Sequence, residues 1–63
     1  MSLADLAAAR RAAAAKLKAR DEDTKTAFHR WYDDDTEQNW AAYEQAREKS
    51  SAAFNAAADL GAI

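Results

Sequence analysis

His29 and Asp33 stand four residues apart, the spacing at which a carboxylate on a helix can orient an imidazole or share a metal with it. A first-row metal needs three or four ligands, and His29 is the only histidine in a chain without cysteine. Neither His-Glu-x-x-His nor Glu-x-x-His occurs, so His29 reads as a surface histidine and no metal or other cofactor is expected. Glu44 and Glu48 share a helix face, but nothing near them in sequence would separate their ionisation into acid and base roles. There is no Gly-rich phosphate loop, no Gly-x-Ser-x-Gly elbow and no thiol nucleophile. A chain of 63 residues with so few large side chains cannot enclose a substrate pocket of about 300 Å³. The expectation is a protein that is not an enzyme and takes no small-molecule substrate.

Charge offers a second kind of chemistry. The net charge is −2, but residues 1–20 carry +4 and residues 21–39 carry −5. The basic third could neutralise phosphates, yet Arg11 and Lys18 fall on one helix face, Lys16 and Arg20 on another, and Arg10 in the apolar seam. A duplex-binding helix would gather its cations along one stripe, so nucleic-acid binding is possible but not favoured. The acids Asp33, Asp34, Asp35 and Glu37 could imitate a phosphate run, making the chain an acidic inhibitor of a nucleic-acid-processing complex. The simpler role for these four, and for Asp21-Glu22-Asp23, is to cap free N–H groups at helix starts. Attraction between the basic and acidic regions is also expected.

The aromatics are the most informative set. Phe28, Trp31, Tyr32, Trp40, Tyr43 and Phe54 make up 10% of the chain. On a helical wheel Trp40 falls off the small-residue stripe of its helix, and Trp31 lies towards the opposite edge. Trp and Tyr dominate protein interfaces, so Trp31, Tyr32, Trp40, Tyr43 and Phe54 are the expected partner-binding residues.

The elements that must position these groups are helices. Nineteen residues are alanine, there is no valine, no proline, a single glycine and one isoleucine, and no hairpin turn pair exists. Twelve large apolar side chains remain, Met1 among them, a thin supply for a core. Ser2 followed by Asp5 marks the start of a helix over about 3–20, with a seam of Leu3, Leu6, Arg10, Ala13 and Leu17 at alternating three- and four-residue spacing. The Arg10 stem is expected along that seam, its guanidinium reaching water or an acid on another helix. Asp21-Glu22-Asp23-Thr24 looks like a turn and a fresh start, giving a second helix over about 24–33. Asp35-Thr36-Glu37-Gln38 has capping-box form, giving a third over about 36–60, closed by Gly61 at C′. Because neither Gly nor Pro lies between 21 and 60, one uninterrupted helix there is the alternative. Asp35 and Asn39 on its apolar face weigh against it.

The last helix carries a packing stripe of Ala42, Ala46, Ser50, Ala53, Ala57 and Leu60, flanked by Tyr43 and Phe54. Small residues so spaced admit a second helix closely, and the first helix offers a matching surface. The expected fold is therefore all-α: one small Ala-rich domain over 1–63, an antiparallel coiled-coil-like hairpin or three-helix bundle, completed by oligomerisation or a partner. The aromatic segment is expected to close one end. No run of 18 apolar residues exists, so a transmembrane span is not expected, and the chain reads as soluble and cytoplasmic, or enclosed in a virion.

The stretch Leu6-Ala-Ala-Ala-Arg-Arg-Ala-Ala resembles the first helix of small phage head-completion proteins. That family carries a β-hairpin between its helices, which this sequence cannot form. The Ala-, Arg- and Asp-rich composition also suits a GC-rich bacterial or phage source. Together these readings point to a non-enzymatic protein–protein interaction module, a small structural or accessory subunit of a larger assembly.

Overall fold

The computed structural model describes residues 2–63; Met1, counted among the large apolar side chains, lies outside them. It is a helical hairpin of α1 (Leu3–Asp33) and α2 (Glu37–Asp59), packed antiparallel in a rod of 48 × 14 × 13 Å. The 31 residues of α1 set its length, since a helix rises about 1.5 Å per residue.

The start of α1 follows the sequence: the Ser2 hydroxyl accepts from the Asp5 amide at 3.1 Å. The expected turn at 21–23 does not form, and the expected helices over 3–20 and 24–33 are one. Each acid there is engaged on a helix surface. Glu22 pairs with Lys25 at 3.8 Å, Asp23 pairs with Arg20 at 3.7 Å, and Asp21 Oδ1 accepts from Ser50 Oγ of α2 at 2.6 Å. Thr24 is not a cap either. Its hydroxyl lies 2.9 Å from the Arg20 carbonyl and 3.2 Å from the Ala46 carbonyl of α2. Nothing in these residues stops a helix, and the seam passes through them without a phase change: Leu17, Arg20, Thr24, Ala27 and Trp31 are all half-buried.

The chain turns at 34–36, so an uninterrupted helix over 21–60 does not form either. Three successive carboxylates disfavour the C-terminal end of α1 and suit the N-terminal end of α2. Asp34 leaves the helical region at φ −143°, and the Thr36 hydroxyl, rather than Asp35, caps α2 by accepting from the Asn39 amide at 3.1 Å. Asn39 also reaches back across the turn, its Nδ2 donating to the Asp34 carbonyl at 2.9 Å and to the Arg30 carbonyl at 3.5 Å. That satisfies carbonyls left free at the end of α1.

At the far end Gly61 takes φ 71°, as its C′ position requires. The Ala62 amide donates to the Ala57 carbonyl and the Gly61 amide to the Ala58 carbonyl, the paired bonds of a Schellman motif. The α2 seam is Asn39, Tyr43, Ala46, Ser50, Ala53, Ala57 and Leu60; Ala42, placed on it by the sequence reading, is exposed. Of the described residues only Ala53 and Ala57 are buried, and no large side chain is fully enclosed. Among the described residues the ion pairs lie within α1, and one of them, Arg20–Asp23, links the basic region to the acidic one. What joins the two helices is close alanine packing, side-chain bonds at Arg10, Asp21 and Thr24, and ring contacts of Phe28 and Trp31 with α2 near the turn.

Candidate interaction face

The heptad alternation gives the hairpin two unlike sides. On one, Arg20, Asp23, Gln45 and Lys49 line a groove together with Ala42 and Ala46, continued by Thr26, Arg30 and Asn39. The other holds positions 21 and 28 of α1, positions 40, 47 and 54 of α2, and Tyr32, one heptad beyond Lys25. Residues seven apart on a helix share a face, so Phe28, Tyr32, Trp40 and Phe54 all project to this side.

Near the turn the rings form one connected set. Trp31 meets Trp40 with centroids 4.9 Å apart and lies nearly parallel to Tyr43 at 6.3 Å. Trp40 and Tyr43 approach to 5.6 Å. The Trp31 indole donates to Asp35 Oδ1 at 2.7 Å, which ties the ring to the interhelical turn. Arg47 covers the outer face of Tyr43, its guanidinium carbon 5.7 Å from the ring centroid. Trp31 thus stands in the seam rather than at its opposite edge.

Phe28 was absent from the expected binding set, yet it is the hub. Its ring is 5.6 Å from Tyr43, 6.0 Å from Trp31 and 6.2 Å from Tyr32, and its other neighbour is His29 at 5.9 Å. Its spacing from Trp31 and Tyr32, three and four residues, was the available signal. Of the five residues expected to bind a partner, Trp31, Trp40 and Tyr43 are in mutual contact, and Tyr32 joins through Phe28. Phe54 stands apart: eleven residues of α2 separate it from Tyr43, about 16 Å along the helix. It lines a second hollow with Leu17, Asp21 and Ser50, beside the returning Ile63.

Trp31 and Tyr43 are half-buried, and the other four rings are exposed. Phe28 and Trp40 expose 38% and 39% of their surface, Tyr32 74% and Phe54 52%. The acids Asp33, Asp34, Asp35 and Glu37 are exposed around the turn, beside the rings. Arg10 Nε donates to the Leu60 carbonyl, and Arg20 pairs with Asp23 at 3.7 Å. His29 is exposed with its ring against Phe28, and among the described residues no three His, Asp or Glu side chains converge to hold a metal. Among them, too, no helix is long and apolar enough to cross a membrane.

The class these features define is an antiparallel helical hairpin with exposed aromatic rings on one side. Comparison of the chain with protein-family models, curated proteins and solved structures finds no match.

Proposed function

We propose that this chain is a non-enzymatic interaction module, a small structural or accessory subunit that docks onto protein through the side bearing Phe28, Trp31, Tyr32, Trp40 and Tyr43. One observation carries the reading. Phe28, Tyr32, Trp40 and Phe54 stay exposed on one side of the rod, while the described residues that are buried are the alanines Ala53 and Ala57. Aromatic rings left at a surface, clustered and rimmed by charge, are the composition of interface centres rather than of ordinary solvated helix faces. The acids at 33–37 form the rim and tune which partner approaches.

Capture of the tagged full chain from its native host, followed by the intact mass of what is retained, tests this. Trp40→Ala should keep the helix signal and lose the retained partner. A variant with Asp33, Asp34, Asp35 and Glu37 all neutralised should keep the partner, because the acids are not the anchor. Retention by Trp40→Ala, or loss on neutralising the acids, contradicts the reading and favours an acidic inhibitor of the phosphate-mimicking kind.

A further inference from the structure

We infer that the partner of the aromatic side is a cationic amphipathic segment of another protein, its arginines laid over ring faces and reaching the carboxylates around them. The inference rests on the docking reading above and names the chemistry of the partner. Three observations carry it.

The first is where the charge sits. Residues 28–44 hold five of the six rings and carry Asp33, Asp34, Asp35, Glu37 and Glu44 against the single cation Arg30, a net charge of −4. The rest of the chain carries +2. Arg30 lines the groove on the opposite side with Thr26 and Asn39, so it lies away from the exposed rings. The acidity of this protein is therefore concentrated where its rings are.

The second is the neighbourhood of Trp40. Residues three and four apart on a helix are surface neighbours, so Trp40 lies between Glu37 and Glu44. All three are exposed, and among the described residues neither glutamate forms an ion pair. The cations on this side are already engaged: Lys25 pairs with Glu22 at 3.8 Å, and Arg47 stands over Tyr43. An open ring flanked by two carboxylates attracts a cation and repels an anion such as nucleic acid.

The third is that the cluster already holds a guanidinium. Arg47 lies 5.7 Å from the Tyr43 ring centroid, drawn by the negative face of the ring. Tyr32 and Trp40 expose 74% and 39% of their surface, and among the described residues no cation stands over either. A planar guanidinium stacks on such faces better than an ammonium, which favours arginine over lysine in the partner.

A matched set of synthetic helical peptides tests this, each with the same leucine face and a polar face of arginine, lysine, glutamine or glutamate. Each is titrated into the full chain and read by tryptophan fluorescence. At physiological salt the arginine peptide should bind about tenfold more tightly than the glutamine peptide, with lysine between them and glutamate weakest. Glu37→Gln combined with Glu44→Gln should weaken the arginine peptide by about threefold, without abolishing binding, and flatten its salt dependence. The same charge removed at the open end, by Asp5→Asn with Asp59→Asn, should leave the order and the affinities unchanged. Both pairs replace exposed side chains, so the helix signal should stay that of the parent. Trp40→Leu keeps an apolar side chain and should narrow the gap between arginine and lysine.

Equal binding of the arginine and glutamine peptides, or an equal effect of the open-end pair, overturns the cationic partner and leaves docking through the rings intact. Binding by none of the peptides also overturns it, and docking then stands or falls with Trp40→Ala in the capture above. An arginine preference untouched by Trp40→Leu overturns the role of the rings. A self-pair of the chain that shields Trp40 from every peptide, seen by sedimentation, overturns the choice of partner.

Discussion

Arg10 Nε donates to the Leu60 carbonyl at 2.6 Å, joining residues fifty positions apart at the open end of the hairpin. The last turn of α2 holds no basic side chain of its own, so the other helix supplies the cation that its carbonyl end favours. Arg10→Ala should therefore lower stability by about 1 kcal/mol, a modest net value for an exposed charge-assisted bond. Thermal melts followed by circular dichroism will measure it. Gly61→Ala should cost a similar amount, about 1 kcal/mol, because φ 71° strains any side chain there. The added Cβ would also sit 3.2 Å from the Arg10 guanidinium.

The continuity of α1 through 21–24 gives a sharper test. Glu22→Pro removes a helical hydrogen bond and clashes with the preceding turn, at a cost of about 3 kcal/mol or more. In a hairpin this thin it should abolish most of the helix signal. A turn at 21–23 would instead tolerate proline, and a variant that melts like the parent would restore that turn.

Much of this hairpin was legible in the sequence, and the misses share one cause. Ser2, the turn before residue 37 and Gly61 announced themselves because capping chemistry is local. The antiparallel pairing of small-residue stripes followed from spacing. The seam beyond Leu17 was not legible, since Arg20 and Thr24 are polar and hydropathy cannot see a threonine hydroxyl reaching the Ala46 carbonyl of a facing helix. Nor could it foresee that Asp21 would meet Ser50 and so need no helix start to explain it. The phase of α2 was misjudged by one residue at Ala42, because alanine is compatible with either side and Tyr43 declares itself only once Trp31 is placed beside it. Phe54 was grouped with the other rings by residue type, and only its distance along the helix separates them.

Ala57 is wholly buried in the seam between α1 and α2. Ala57→Leu adds volume at a fully buried position and should destabilise by about 1–3 kcal/mol. Ala56→Leu, one residue away and exposed, should be close to neutral. Equal melting points for the two variants would mean that the seam is not the alanine stripe.

Thr36 rather than Asp35 caps α2. Thr36→Ala should cost about 1 kcal/mol, while Thr36→Ser should retain the bond and most of the stability. Asp35→Ala removes only an exposed acceptor of the Trp31 indole and should cost less than Thr36→Ala. The reverse order, read from denaturant midpoints, would return the cap to Asp35.

The central claim is that the aromatic side is covered in the working state of the molecule. The most direct measurement uses Trp31→Phe, which leaves Trp40 as the sole tryptophan, and follows acrylamide quenching of its fluorescence as the arginine peptide is added while mass is recorded on the same samples. The account predicts that quencher access to Trp40 falls in step with the appearance of the complex. A complex that forms while Trp40 stays equally open to quencher would place the interface elsewhere and contradict it.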